Sequence, residues 1–294
     1  MPASHRAAVL DVGCFSAHLL VVERSLSRRV SAHKTRLRLD EAIDASGRIT
    51  DRGIDDICAA VAAAGRQLWT APDADFVPFA TSSVRDAVNA KEVVDAVASR
   101  TGLTLTFFSG TDEAHLAYLA ARRWLGTEGP LTLLDIGGGT IEIAHGAGPR
   151  PSFACSLPFG ARNLTTGALA KNLTQVRTLL QQRIENAIPA DLRHDLAQAP
   201  AVGCSKVFQS LATLTGTRPL RAHDVAAWIP RLAAMSPRKR ARLRGISRHR
   251  ARQALAGAVI AEALMTTTGH DTIDISPWST REGVLIRLLE HGRT

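Results

Sequence analysis

Two stretches of the chain share one pattern of apolar and polar positions. Residues 7–22 read as an apolar run, an aspartate, a small turn containing a hydroxyl residue, and a second apolar run. Residues 131–146 repeat that order, and the two aspartates, Asp11 and Asp135, lie 124 positions apart. Each stretch therefore predicts two strands joined by a tight turn. The repeat in the same strand–turn–strand context indicates an internal duplication.

The remaining pattern alternates strands and helices. Residues 7–38 read as extended, and residues 50–69 have the apolar spacing of a helix. A strand, a loop at 81–83 and a helix ending near Gly102 follow. After a short strand, residues 111–126 read as a helix that stops at Gly126. The second half is mostly helical from about 167 to 265 and closes with a strand and a last helix.

This alternation predicts a mixed α/β fold class. A length of 294 residues suits two domains, which the repeat places at 1–125 and 126–294. An apolar fraction of 45% and a mean hydropathy of +0.01 are typical of a globular protein with buried cores. No apolar run reaches membrane-spanning length, and the first residues lack a secretion signal, so a cytoplasmic location without a membrane partner is expected. The scattered cysteines predict free thiols.

The net charge of +9 is concentrated in one stretch. Residues 231–252 contain nine Lys and Arg and no acid. Such a run is typical of a solvated basic face or a nucleic-acid patch, and it also suits docking of another polyanion. Aromatic residues that would stack bases are not interleaved, which disfavours single-stranded nucleic acid. The candidate polyanion surface is Arg238, Lys239, Arg240 and Arg242.

The strongest candidate for chemistry is the turn "DIGGGTIE". Consecutive glycines let a backbone approach a ligand closely and permit positive φ values that aim successive N–H groups inward. Such a turn can hold phosphate oxygens, to which Thr140 adds a hydroxyl, while Asp135 can hold a hydrated Mg²⁺. It is not a Walker loop, because the glycines lead into a strand. The alternative is a glycine-rich hairpin without a ligand.

Three further turns carry candidate residues. Glu113, beside Asp112, opens the helix of residues 111–126, and the alternative role for a carboxylate there is to complement the helix dipole. Arg85 opens another helix after small hydroxyl residues and can bind phosphate, although a surface arginine is the usual case. Ser205 and Lys206 follow a strand and Gly203, where a helix N-terminus can contact an anion.

Together these segments, in the order DVG, ATSSVRDA, SGTDEAHL, LLDIGGGTIEI, SLPFGARNLT and SPWSTREGVL, resemble the Ppx/GppA phosphatases. The similarity runs from about residue 7 to residue 288 and is nearest to the short, two-domain actinobacterial exopolyphosphatases. It implies two duplicated actin-like (ribonuclease H-like) domains that flank a cleft, the second with added helices. Relatives in this family are often homodimers, so a homodimer is expected.

The resemblance also implies roles for residues. Glu113 falls on the glutamate proposed to activate the attacking water. Asp135 and Glu142 fall on residues associated with Mg²⁺ and catalysis, and Arg85 falls on the phosphate-binding arginine. The phosphate cradle comprises Gly137, Gly138, Gly139 and Thr140. Asp11 matches the acid of the first turn, which makes it a metal candidate, and the repeat extends phosphate or metal roles to Gly13 and Ser16.

The first turn departs from the family pattern. Cys14 and Phe15 stand where relatives have Ser-Asn. Three consequences are open: a shifted substrate range, a Phe15 that points into the core while the backbone still binds phosphate, or weak activity that leaves a polyanion or nucleotide sensor. The retained carboxylates favour activity.

The expected reaction is Mg²⁺-dependent hydrolysis of terminal phosphate from inorganic polyphosphate, with Mn²⁺ as an alternative ion. The rival substrate within the family is guanosine pentaphosphate, a nucleotide of the stringent response. The basic run favours polyphosphate, since a long polyanion requires many cationic contacts.

Overall fold

The structure of the protein, a computed structural model, describes residues 5–69, 71–166 and 172–291. The chain divides into two compact units. The first unit comprises residues 1–109 and 281–294, and the second comprises residues 110–280.

The strands in chain order are β1 (Arg6–Val12), β2 (Ser16–Glu23), β3 (Ser25–Arg36), β4 (Asp75–Ala80), β5 (Thr106–Phe107), β6 (Leu131–Ile136), β7 (Ile141–Gly146), β8 (Phe153–Leu157), β9 (Ala201–Gly203), β10 (Leu220–Arg221) and β11 (Thr272–Ile275). The α-helices are α1 (Leu39–Ala42), α2 (Asp51–Leu68), α3 (Ser82–Arg85), α4 (Ala90–Thr101), α5 (Gly110–Leu125), α6 (Ala161–Thr166), α7 (Leu173–Ala187), α8 (Arg193–Gln198), α9 (Ser205–Thr215), α10 (Ala222–Ala233), α11 (Pro237–Arg240), α12 (Ala254–Thr267) and α13 (Thr280–His291). Short 3₁₀ turns cover Ala190–Leu192 and Arg248–Arg250.

The two sheets have the same topology. The first has the order β3-β2-β1-β4-β5, and the second has β8-β7-β6-β9-β11 with β10 added at the far edge. In both, three antiparallel strands form a meander and the next two strands join in parallel. This is the ribonuclease H-like order, so the predicted α/β class with two duplicated units is confirmed.

The predicted elements recur with small changes. The helix expected to end near Gly102 is split into α3 and α4, and it ends at Gly102, which has a φ of 71°. The helix of 50–69 begins at Thr50, whose side chain accepts a hydrogen bond from the Gly53 N–H. The second half is largely helical as expected, but the predicted start at about 167 lies outside the described residues. All four cysteines are free thiols.

The division between the units differs from the predicted 125/126 boundary. Helix α5 belongs to the second unit because it packs on β6, β7 and β8, and α13 begins where the chain returns to the first unit. Strands β6 and β7 are buried along their whole length, since α5 lies against them and α9 and α12 also pack on β6. Among the described residues, no helix is both long and apolar enough to cross a membrane.

Candidate active site

Two carboxylates lie side by side on neighbouring central strands of the second unit. Asp135, near the end of β6, is the register partner of Glu142, near the start of β7. Both are buried, at 6% and 4% exposure, in strands whose other residues, apart from Thr132 and His145, are apolar or small. A buried carboxylate is costly unless hydrogen bonds or a cation compensate it. The pair therefore marks a place built for polar chemistry.

Hydroxyl groups supply part of that compensation. The Ser156 hydroxyl on β8 donates to Glu142 Oε1 over 2.9 Å, and Thr140 also donates to Glu142. The Ser279 hydroxyl donates to Asp135 Oδ2. Burial nevertheless raises the pKa of Asp135 to about 6. Burial, then the charges of Asp135 and Glu113, raise the pKa of Glu142 well above its usual value.

Glu113 completes a cluster of three acids. It lies in the first turn of α5 and is 7% exposed, whereas the adjacent Asp112 is exposed. Its charge acts on Glu142, so α5 places it beside the strand pair. Gly110 makes this approach feasible, because a Cβ there would lie 2.4 Å from the Cβ of Ser156. The helix-dipole reading of Glu113 does not account for its burial among acids.

The glycine turn lies directly between these strands. The Gly137 N–H donates to the Thr140 carbonyl over 2.9 Å, which closes the turn. In the segment after β8, the N–H groups of Gly160, Ala161 and Arg162 donate to the carbonyls of Gly139, Gly137 and Gly138, in that order. Within the part of the chain that the structure describes, the Gly138 and Gly139 N–H groups donate to no backbone carbonyl. Such donors suit phosphate oxygens.

One of the two predicted reasons for glycine in this turn, a positive φ, is wrong. None of its three glycines has a φ in the left-handed region. Close approach is the cause instead: a Cβ on Gly137 would lie 3.1 Å from the Thr140 carbonyl oxygen, and a Cβ on Gly160 would lie 2.4 Å from the Gly138 carbonyl. The turn is pressed against the start of α6, and side chains at these contacts would separate them.

The turn after β9 brings one predicted residue to the cluster. Ser205 has a φ of 75°, a left-handed conformation that is uncommon for a residue other than glycine. Its hydroxyl lies close enough to Asp135 to lower the pKa of that acid, against the larger effect of burial. Lys206 is exposed, and its Nζ donates to Gln209 over 3.1 Å. Strand β9 thus delivers Ser205 to the acids, and Lys206 lies on the surface of α9.

The first unit has an equivalent turn. The Gly13 N–H donates to the Ser16 carbonyl over 2.9 Å, and the carbonyls of Cys14 and Phe15 accept from the N–H groups of Leu39 and Leu37. Burial raises the pKa of Asp11 to about 6, and Asp11 Oδ1 is a buried oxygen with no hydrogen-bond partner in the described part of the chain. Cys14 and Phe15 pack in the core of this unit. Phe15 therefore points into the core, as one of the three predicted consequences requires, while phosphate binding by the backbone of this turn stays a prediction.

Two arginines of the first unit are held by hydrogen bonds. The Arg85 guanidinium, at the end of α3, donates to Asp86 over 2.8 Å and to the Phe108 carbonyl over 2.9 Å. Arg281 bonds to Glu282 and to Nδ1 of His18. His18 is the register partner of Asp11, and burial followed by the charge of Arg281 lowers its pKa to about 4.

The basic run folds into a compact segment around α11. Arg238, Lys239 and Arg242 are exposed. Arg240 does not join them: it is 8% exposed, and its Nε donates to the Leu232 carbonyl over 2.9 Å. Arg240 was therefore wrongly included in the candidate polyanion surface, because its guanidinium is buried and bonds within the segment.

The acids fit a cation of the Mg²⁺ type. No group of three or more His, Cys, Asp or Glu side chains in the described ranges is arranged to hold a metal ion. Mg²⁺ does not require one, because it is usually held by one or two carboxylates together with water and phosphate oxygens. The buried Asp135–Glu142 pair offers that donor set, and a cation there would offset the burial and the charge repulsion that raise the pKa of Glu142.

Sequence reasoning missed residues that complete the site. Ser156, Gly160 and Ser279 received no role, although all lie in the segments "SLPFGARNLT" and "SPWSTREGVL" that carried the resemblance. The small and hydroxyl residues in these two segments were the only sequence pattern that pointed to them. Only the strand register and the close contacts show what each one does.

Comparison with known proteins identifies the class. Residues 21–291 match the Ppx/GppA phosphatase family, and the chain belongs to this family of phosphoanhydride hydrolases. An uncharacterised protein of Streptomyces coelicolor is 39% identical over 98% of this chain and 91% of its own.

Two further relatives are named for an activity. Exopolyphosphatase 1 of Mycobacterium tuberculosis is 37% identical over 97% of this chain and 88% of its own. The crystal structure of an exopolyphosphatase from Cytophaga hutchinsonii has the same fold, with a TM-score of 0.83 at 20% identity over 98% of this chain and 99% of that one.

Proposed function

We propose that this protein is an exopolyphosphatase that releases terminal orthophosphate from inorganic polyphosphate. The observation that carries the proposal is the cluster of Glu113, Asp135 and Glu142 beside a turn with two backbone N–H groups available. The exopolyphosphatase relatives that span nearly the whole chain support it.

In this reaction Glu113 serves as the general base. It orients a water molecule and accepts its proton while the water oxygen bonds to the terminal phosphorus. The bridging P–O bond breaks, and its electron pair leaves with the shortened polyphosphate. The N–H groups of Gly138 and Gly139 bind the non-bridging oxygens, where charge accumulates. The buried position of Glu113 excludes bulk water and strengthens these interactions.

Asp135 and Glu142 would hold Mg²⁺ or Mn²⁺, with Asp11 as the corresponding predicted ligand of the first unit. When bound, the ion neutralises charge on the phosphate oxygens. Ser156 and Thr140 keep Glu142 oriented through hydrogen bonds. Gly13, Ser16, Arg85, Ser205 and Lys206 are proposed phosphate contacts.

The test compares phosphate release from long-chain polyphosphate, short-chain polyphosphate and guanosine pentaphosphate, with Mg²⁺ and with Mn²⁺. We expect the highest kcat/KM on polyphosphate. Preference for guanosine pentaphosphate would assign the other activity of the family. Salt-sensitive binding without any turnover would instead identify a sensor.

A pair of variants tests the base. Glu113→Gln keeps the size of the side chain and removes the proton acceptor, so we expect turnover to fall by about 10³ while polyphosphate still binds. Asp112→Asn is the matched control, since Asp112 is the exposed neighbour on the same turn. Equal turnover in wild type and Glu113→Gln would exclude Glu113 as the base.

We also propose that exposed residues of the basic run dock the polyphosphate chain. Replacing Arg238, Lys239 and Arg242 by Ser should weaken binding of long chains about tenfold and leave short chains unchanged, with a shallower salt dependence. A triple change of the exposed Arg52, Arg66 and Arg183 to Ser removes the same charge elsewhere. Equal losses for both chain lengths, or for both triples, would refute a docking role. The homodimer remains a prediction, which sedimentation at several concentrations would test.

A further inference from the structure

The turn after β11 is held in a defined shape. The Ser276 N–H donates to the Gly203 carbonyl over 3.0 Å, which fastens the turn to β9. The Ser276 hydroxyl donates to the Trp278 carbonyl over 2.9 Å, and the Trp278 N–H donates to Ser276 Oγ over 3.0 Å. This local network fixes the direction in which the next residue, Ser279, leaves the turn.

Ser279 then reaches a residue that lies 144 positions away in the chain. Its hydroxyl donates to Asp135 Oδ2. A bond from a neutral donor to an ionised carboxylate is short and strong, and it fixes the rotation of the acceptor group. Asp135 lies in a strand that is buried along its whole length, so water cannot replace this donor easily.

We propose that Ser279 is a positioning residue for Asp135 and sets the affinity of this site for a divalent cation. The inference rests on the proposed function. The bond to Oδ2 holds the carboxylate plane in one orientation, so the order needed for metal binding is present before the ion arrives. Outer partners of ligating carboxylates commonly change metal affinity by about 10- to 100-fold.

A purely structural role is the competing explanation, since Ser279 also precedes the first residue of α13. A serine in that place can cap a helix, and glycine replaces a serine cap with little loss of helix stability. Ser279→Gly therefore removes the donor to Asp135 with little loss of capping. Ser279→Ala removes both, and Ser279→Thr retains the hydroxyl.

The experiment is direct titration of the purified variants with Mn²⁺, followed by electron paramagnetic resonance of the free ion, with denaturant unfolding of the metal-free proteins alongside. We expect Ser279→Gly and Ser279→Ala to raise the Mn²⁺ dissociation constant at least tenfold. Ser279→Thr should recover most of the wild-type affinity, and the neighbouring Thr280→Ala should match wild type. Turnover of Ser279→Gly should recover as Mn²⁺ is raised.

Two outcomes overturn the inference, and they are distinguishable. If wild type binds Mn²⁺ and Ser279→Gly binds it equally well, Ser279 has no positioning role, and the proposed function stands. If wild type itself binds no Mn²⁺ and hydrolyses no polyphosphate, the proposed function fails together with the inference. Weaker binding in Ser279→Ala alone, with Ser279→Gly normal, would assign the serine to capping.

Discussion

The turns at residues 11–18 and 135–142 have the same backbone and different chemistry. In each, the N–H of the glycine two residues after the aspartate donates to a backbone carbonyl over 2.9 Å. The acceptor is the carbonyl of Ser16 in the first turn and that of Thr140 in the second. In each, the carbonyls of the turn accept from the segment that follows the third strand of the meander. The conserved feature is therefore the direction of the carbonyls.

The side chains diverge on that common frame. The second turn has glycines at its centre and Glu142 opposite its aspartate. The first has Cys14 and Phe15, both in the core, and His18 opposite its aspartate. The backbone of a turn can thus keep its shape while the residues at its centre change from glycines to buried apolar side chains.

The largest expected effect is on turnover, when the residues opposite the two aspartates are exchanged. Glu142→His removes one acid of the buried cluster, and we expect turnover to fall by about 10³. His18→Glu places an acid beside Arg281, which offers a countercharge, so turnover should fall less than about tenfold. Steady-state phosphate release measures both. Equal losses would mean that the two turns contribute alike.

The next largest effect is expected from added side chains. Gly160→Ala places a Cβ 2.4 Å from the Gly138 carbonyl, so the glycine turn must move; turnover should fall about 100-fold and unfolding free energy by about 2 kcal/mol. At Gly13 a Cβ would meet its nearest atoms at 3.8 Å, so Gly13→Ala should change unfolding free energy by less than about 0.5 kcal/mol. Denaturant unfolding checks both. A stable Gly160→Ala with full turnover would contradict the close packing.

Restoring the family's Ser-Asn to the first turn tests its divergence. Because Phe15 is buried, Cys14→Ser with Phe15→Asn should lower unfolding free energy by about 2–3 kcal/mol and change turnover less than about twofold. Phe15→Leu, which stays apolar, is the control and should cost less. A large gain in turnover would show that the first turn is compromised in this chain.

The smallest expected effect is a loss of stability as the pH is lowered. Burial, then Arg281, holds the pKa of His18 at about 4, against an ordinary value of 6.5. Between these pH values the unfolded chain binds a proton that the folded protein does not, so stability falls as the pH is lowered from 6.5 toward 4. After allowance for solvent screening, this amounts to about 1 kcal/mol. The unfolding free energy of His18→Gln, measured with denaturant, should depend less on pH over this range. An unchanged pH dependence would contradict a role of His18 in this loss of stability.

Much of the architecture was predictable because it is encoded locally. The alternation of apolar positions predicted the strands and most helices, and the repeat around Asp11 and Asp135 predicted the duplication that the strand orders confirm. Asp135 was predicted because it precedes consecutive glycines, and the resemblance to the Ppx/GppA phosphatases indicated Glu113 and Glu142. These signals depend on neighbours in the chain, which a sequence displays directly.

Contacts between distant segments were decided only by the tertiary structure. The sequence suggested that α5 ends the first unit, but its packing on β6, β7 and β8 places it in the second. It grouped Arg240 with surface cations, whereas the folded segment turns this side chain inward. It could not show that Ser279 reaches Asp135 or that Gly160 presses on Gly138. The packing of separate strands and helices determines which side chain contacts a buried carboxylate. No local sequence pattern encodes that packing.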